Sequence, residues 1–397
     1  MPVSSLRSRS IRQAIVFSVV GRIPNGVVPL AAVLLAHERL DSLATGGAAA
    51  GAYALGAAIA SPLAGRAVRR FPERGVVIAT GVVHGALLVL LAHLPIGGSA
   101  AAFVALAALT GISRPPLAPL GRAFFGRHAL DEDELAAALA LDAAATEAIY
   151  ILGPLLTSAA VYLSTAGGAV DVAAIVTILG SLGYARLVER QEMPGLAERR
   201  GAGALASATL RRLVMATTLL GVGYGLLEVG IPGVAVDRGQ PGMSGIPLAA
   251  LAAGTLVSSL VYGARSRRRA PIEALPTFFG AYAVAIAAVA AFPNLLVAIV
   301  ALAAAGVALG PLTVATFRAV DHAVLPAAAA EGYGWITTAN VGGSAAGAAA
   351  AGFLIEQLGL YAPFALAALG AAAGGLLLLE RLRATAALPE APGRAEG

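Results

Sequence analysis

The chain lacks cysteine and lysine altogether in its 397 residues. The first absence excludes disulfides, thiolate metal sites and cysteine nucleophiles. The second excludes a GxxxxGK[ST] phosphate loop, so ATP-driven work within this chain is not expected. Gly-rich stretches such as Gly342-Gly343-Ser344-Ala345-Ala346-Gly347 read instead as surfaces where helices approach closely. All 27 basic residues are therefore arginine, a usage that reads as codon bias of a GC-rich genome. Charge is scarce too: 12% of residues are charged and 58% are hydrophobic. Soluble domains carry about 25% charged residues, so too little polar surface remains to face water. The five histidines (His37, His84, His93, His128, His322) include no pair at helical ligand spacing, which argues against a zinc or haem site.

What the chain has is long uncharged runs. Ala274 to Phe317 is 44 residues without a charge, broken by Pro293-Asn294; Gly75 to Ser113 is 39, hinged at Pro95-Ile96-Gly97-Gly98. A helix crossing a bilayer needs ~20 apolar residues, and Pro, Gly and Asn are turn chemistry. Each run therefore reads as two antiparallel spans. Twelve helices are expected, at 12–36, 46–66, 75–94, 99–121, 135–163, 169–187, 212–235, 245–264, 271–292, 295–318, 332–355 and 360–380. Arg7, Arg9 and Arg12 before the first apolar run resemble a signal peptide, but no small-residue cleavage site follows, so this reads as a retained first helix.

With the N-terminus placed inside, 23 arginines fall in cytoplasmic segments and two, Arg39 and Arg238, fall outside. That asymmetry is the positive-inside pattern of an inner or plasma membrane protein with both termini cytoplasmic. Scattered between spans, the arginines form no nucleic-acid surface.

The polar stretch from Glu189 to Arg212 divides the chain into an N-terminal bundle (1–187), a cytoplasmic linker (188–211) and a C-terminal bundle (212–383), with a disordered tail (384–397). The halves echo each other. Gly111-x4-Pro116-Leu117 matches Gly306-x4-Pro311-Leu312, and the second and eighth helices both end in Gly and clustered Arg. Duplicated halves around a central cavity are a common build of secondary transporters.

Six plus six spans, a basic central loop and these repeated turns resemble the major facilitator superfamily. The most specific part is Ser61 to Arg74, which is similar to the family's loop between helices two and three, P-L-A-G-R-L-A-D-R-F-G-R-R. Pro62, Gly65, Arg66, Arg70, Phe71 and Arg74 match, while Arg69 stands where the family has Asp and Pro72 where it has Gly. The resemblance implies a conformational role for Gly65, Arg66, Arg69, Arg70 and Arg74. It also implies that a latch involving that Asp is lost or moved to another carboxylate. Gly153-Pro154 resembles the core of the exporter motif. Tyr224 to Val234 and Glu331 to Trp335 resemble little-characterised actinobacterial members.

Ionisable groups deep in a span cost roughly 2.5–3.5 kcal/mol on insertion scales, so they face a cavity or a partner. Arg22, Arg114, Asp142, Glu147 and Glu228 qualify. At 1.5 Å per residue, Arg114 and Asp142 lie at similar depth, ~12 and ~10 Å in. Glu147, ~18 Å in, is the expected protonation or substrate site. Arg114, shared with Asp142, is its expected counter-charge; the alternative is a static Arg114–Asp142 pair. Arg22 meets an anionic substrate group, or else pairs with a carboxylate of another helix or snorkels. Glu228 is an outer gate, a cation contact or a group snorkelling to the surface. His84 is either a site residue or a neutral core histidine. Asn25 and Asn340 bond to substrate or across helices, and Tyr150, Tyr333 and Trp335 line the cavity or pack. The run Asp131 to Glu134 complements a helix dipole.

The reading is an all-α, twelve-span monomeric transporter of a small molecule, without cofactor, driven by protons and embedded in the lipid bilayer. Export is the expected direction; uptake by symport or uniport is the alternative. An intramembrane enzyme or sensor is the remote one, since no catalytic cluster is apparent.

Overall fold

The computed structural model describes residues 7–93, 95, 99–188, 204–265, 271–292, 294–325 and 328–386. Fourteen α-helices account for nearly all of these residues: α1 (Arg9–Arg22), α2 (Pro24–Leu40), α3 (Leu43–Arg70), α4 (Glu73–His93), α5 (Ala100–Ile112), α6 (Leu117–His128), α7 (Glu132–Leu163), α8 (Ala166–Ala185), α9 (Ala208–Asp237), α10 (Gly245–Arg265), α11 (Pro271–Ala291), α12 (Leu295–Ala323), α13 (Ala329–Leu358) and α14 (Ala362–Ala386). Most of the expected linker, and the tail from residue 387, lie outside the described residues.

The polar residues between apolar runs act as caps. Ser42 accepts from Thr45 N at 3.0 Å, Asp131 from Glu134 N at 2.8 Å and Asn294 from Leu296 N at 2.8 Å. Each satisfies a backbone donor that a helix start leaves open.

Two of the expected helices are broken. The first divides at Ile23, because Pro24 has no N–H to continue the ladder and sits as the first residue of α2. The fourth divides between Ile112 and Leu117, where Pro115 and Pro116 remove two successive donors. Taking each broken pair as one span, eleven spans among the described residues are long and apolar enough to cross a membrane. The twelfth rod is α13, whose Gly, Ala and polar residues such as Thr337 and Asn340 dilute its hydropathy. It packs against α9 and α3, so it has less need of a lipid-facing apolar surface.

Lipid tails are as apolar as leucine, so helices here associate by close packing and polar contacts rather than by hydrophobic exclusion. The sequence supplies both. A Cβ on Gly26 or Gly153 would overlap the other helix's backbone where α2 crosses α7. The two halves repeat one such crossing. Gly56 and Gly111 bring α3 onto α5, and Gly254 and Gly306 bring α10 onto α12. The Gly-x4-Pro repeat read from the sequence is therefore a packing repeat. Hydroxyls then bond across helices: Thr177 to Gly21 O (3.0 Å), Ser258 to Gly306 O (3.1 Å) and Ser18 to Leu117 O (3.1 Å).

Contacts between the halves cluster at the end of the bundle that carries Arg39 and Arg238, the arginine-poor end. There Gly47 and Gly51 of α3 meet the backbone of α13 at Ala348 and Ala345, and Gly352 meets Ala44. Alongside, Gly245 N–H at the start of α10 donates to Ser158 Oγ of α7 at 2.7 Å.

Gly153→Ala is expected to overpack the α2–α7 crossing and cost about 1–3 kcal/mol. Thermal unfolding in detergent should show a lowered midpoint. Gly75→Ala, whose added methyl meets nothing within 4 Å, should leave the midpoint unchanged or raise it.

Candidate functional site

The ionisable groups in the spans sort into an ion-paired cluster and a set without ion pairs among the described residues. The cluster centres on Asp142 in α7, which is 1% exposed. Arg22, at the end of α1 and 4% exposed, forms an ion pair with Asp142 Oδ1. Arg122 of α6 reaches Asp142 Oδ2 at 3.0 Å. Arg22 also donates to Ser18 O at 3.2 Å and Thr146 Oγ1 at 3.3 Å, and Thr146 Oγ1 donates to Asp142 O at 2.8 Å. This corrects the expected sharing of Asp142 with Arg114. The break after Ile112 takes Arg114 out of α5, and Arg22 and Arg122 take the carboxylate instead. Of the two readings of Arg22, the carboxylate partner is the one seen.

The break also sets the state of His84. Continuing α5 would have Arg114 N–H donate to Thr110 O. The turn instead directs Arg114 N–H to Gly111 O at 3.3 Å. Thr110 O is thereby released to accept from His84 Nδ1 at 2.9 Å, and Ser113 Oγ lies 3.2 Å from the same nitrogen. A carbonyl can only accept, so Nδ1 carries the hydrogen. His84 is buried at 1% exposure and lines a cavity of about 130 Å³, together with Arg22, Asn25, Arg114 and the Pro115–Pro119 start of α6. Arg114 is half-buried, and among the described residues no carboxylate pairs with it.

A second, smaller cavity of about 20 Å³ touches both halves: Asn25, Gly26, Tyr150 and Pro154 from the first, Tyr224, Glu228 and Leu248 from the second. Asn25 lines both cavities and marks where they adjoin. Glu228 therefore faces inward rather than snorkelling to the surface. Its one contact among the described side chains is Ser344 Oγ, which donates to Oε2 at 3.5 Å. Tyr150 stands between the opposite charges, within electrostatic reach of Arg114, Arg22, Glu228 and Glu147. Glu147 is half-buried on α7, one turn from Tyr150, and lines neither cavity.

Other expected residues lie elsewhere. Trp335 Nε1–H donates to Glu331 at 3.3 Å, and Tyr333 O–H donates to Asp321, both away from the two cavities. Asn340 is exposed, and its backbone packs under Gly221. Arg66, Arg70 and Arg74 are exposed; the burial of Gly65 and the side chain of Arg69 lie outside the described set. The carboxylate next to this loop is Glu73, which is buried. It meets Arg127 of α6 at 3.1 Å and accepts from Tyr184 O–H of α8 at 3.2 Å. The acidic run at the start of α7 does more than complement a dipole. Asp131 pairs with Arg7, and Glu134 accepts from Ser8 N–H at 2.7 Å. The hydrogen bonds from Glu134 N–H and Arg7 hold the Asp131 carboxyl below its usual range.

Tyr224 and Arg122 were missed in the sequence. Tyr224 had a signal, since it precedes Glu228 by one helical turn and so shares its face. Arg122 had none, because it read as one more charge in a topology cluster.

The sequence profile described as Major Facilitator Superfamily matches residues 15–340. The chain belongs to that superfamily. No curated protein matches this superfamily member. Solved structures match its fold. A mutant form of the nucleoside transporter NupG superposes with a TM-score of 0.76 at 13% identity, over 94% of this chain and 99% of that one. A POT family transporter in complex with 5-aminolevulinic acid gives 0.71 at 13%, over 94% and 96%. The human organic anion transporter MFSD10 gives 0.61 at 16%, over 95% and 100%. At such identities these neighbours share the fold. With the family, they make the chain a multi-pass membrane protein of transporter type.

Asp142→Asn removes the charge that compensates Arg22, and breaking a buried pair costs about 3–5 kcal/mol. The yield of monodisperse protein on size exclusion in detergent should fall sharply. Adding Arg22→Gln to the same chain should recover part of it, because the two changes share one interaction.

Proposed function

We propose that this superfamily member is a proton-coupled secondary transporter of a small organic molecule, alternating access to a site between its two six-helix halves. The observation that carries the reading is Glu228: a carboxylate in a span, facing a cavity lined by both halves, with no cationic partner among the described residues. An ionised carboxylate so placed costs energy, and binding a proton relieves it. Such a group makes the proton part of the transport cycle. Glu147, half-buried and within reach of the same tyrosines, serves as a second proton station. In this reading the leading role passes from Glu147 to Glu228, supported by Glu228 lining the shared cavity, which Glu147 does not.

The arginine asymmetry supports cytoplasmic termini in a plasma membrane, with the arginine-poor end outside. The conformation described is then closed outside, along the α3–α13 and α7–α10 contacts. Export against proton entry is the direction that the resemblance of Gly153-Pro154 to the exporter motif supports.

Inside-out vesicles with an acidic lumen, offered a panel of labelled small organic molecules, test this. Uphill accumulation of at least one compound is expected. Glu228→Gln should abolish accumulation while preserving exchange of that compound at equal pH. Accumulation undiminished by both Glu228→Gln and Glu147→Gln would overturn proton coupling through these groups.

A further inference from the structure

The two adjoining cavities differ in charge and in size, and together the differences select a class of substrate. The acidic one holds about 20 Å³. That is room for little more than one water, which needs about 10–15 Å³ on this measure. It suits a proton or a water beside Glu228, and leaves no room for the body of an organic cation. The larger one, about 130 Å³, is lined by Arg22, Arg114 and His84 and by no carboxylate. Asp142 does not cancel its charge. Arg22 and Arg122 already share that single carboxylate, and Arg114 stands apart from it.

Two further features lie at or beside the same space. The break between α5 and α6 puts the N-terminus of a twelve-residue helix at the cavity wall, with Pro116, Ala118 and Pro119 among its lining. No side-chain hydrogen bond caps that N-terminus; Leu117 N–H turns back to Pro115 O and Pro119 has no N–H, so Ala118 N–H is the first-turn donor left open. Discontinuous helices in transporters aim such termini at anionic groups of the substrate. Independently, Tyr53 of α3 is 2% exposed, and its hydroxyl is buried without a hydrogen-bond partner among the described residues. Its ring lies 6.4 Å from that of His84, and it is within electrostatic reach of Arg114. A buried hydroxyl left unbonded costs free energy that an incoming acceptor removes.

We propose that the transported molecule is a small organic anion. Its carboxylate or phosphate is held by the Arg114 guanidinium and the Tyr53 hydroxyl, before the start of α6. The body of the molecule extends towards Asn25 and Tyr150, and the proton travels separately through Glu228. This rests on the transport reading above.

The test uses purified full-length protein in proteoliposomes under an imposed pH gradient of either sign. The vesicles are offered cell-extracted small molecules split by ion exchange into anionic, cationic and neutral pools. Mass spectrometry then identifies what accumulates and whether its acidic group is carboxylate or phosphate. Saturable accumulation from the anionic pool is expected. Arg114→Gln should raise its KM about tenfold or more, as loss of a charge-assisted bond implies. Tyr53→Phe, which removes one hydroxyl and keeps the ring, should raise KM severalfold at unchanged kcat and unchanged thermal midpoint. Accumulation from the cationic or neutral pool alone overturns the anion assignment and leaves transport standing; anion transport with wild-type KM in both variants overturns the placing of the anionic group at Arg114 and Tyr53. Accumulation from no pool under either gradient overturns transport itself, and this assignment with it.

Discussion

A charge inside a lipid-spanning bundle must be paired or must face a wet space, and the whole site follows from how this chain meets that demand. Asp142 is taken by Arg22 and Arg122. That pairing joins α1, α6 and α7 into one unit of the first half. Because it consumes the carboxylate nearest in depth to Arg114, it leaves that arginine facing the larger cavity without a counter-ion among the described residues. The second half contributes Glu228 from the other side, held only by a long bond from Ser344. The opposed charges of the two halves meet around Asn25 and Tyr150, where the cavities adjoin.

The frame that holds these groups is made of small residues. Helices packed through Gly26 and Gly153, or through Gly56 and Gly111, approach backbone to backbone. Dispersion contacts over such surfaces replace the hydrophobic drive that lipid withholds. The same device serves within and between halves. Inside each half the crossings are reinforced by hydroxyl-to-carbonyl bonds such as Thr177 to Gly21 O. Between halves the α3–α13 contact is a smooth Gly and Ala surface, and the α7–α10 contact adds a bond from Gly245 N–H to Ser158. A seam with so few directional bonds can part and re-form at low cost.

Much of this was legible in the sequence. Uncharged runs hinged at Pro and Asn located the spans, since bilayer thickness fixes their length. The arginine count ordered the loops, and the Gly-x4-Pro repeat marked equivalent crossings of the two halves. What escaped was rotation and interruption. Arg114 and Asp142 were expected to share an interaction, yet Pro115 and Pro116 end α5 and Asp142 is taken by Arg22 and Arg122 instead. The pairing of Arg22 with Asp142, 120 residues apart, depends on how α1 packs against α7, which periodicity does not encode. Tyr53 sits in a run of small apolar residues, so nothing local distinguishes its unbonded hydroxyl from a packing tyrosine. Glu228 was found by its charge, but its direction depended on where α13 lies.

The account requires the two halves to move as bodies about this shared cavity. The absence of native cysteine allows spin labels to be placed directly on engineered cysteines. One pair, Ala100→Cys with Leu296→Cys, sits at the arginine-poor ends of α5 and α12. The other, His128→Cys with His322→Cys, sits at the opposite ends of α6 and α12. Double electron–electron resonance in nanodiscs, read across an acid shift, should show the first distance distribution lengthening as the second shortens. Two distributions that stay fixed, or that lengthen together, would contradict alternating access around this site.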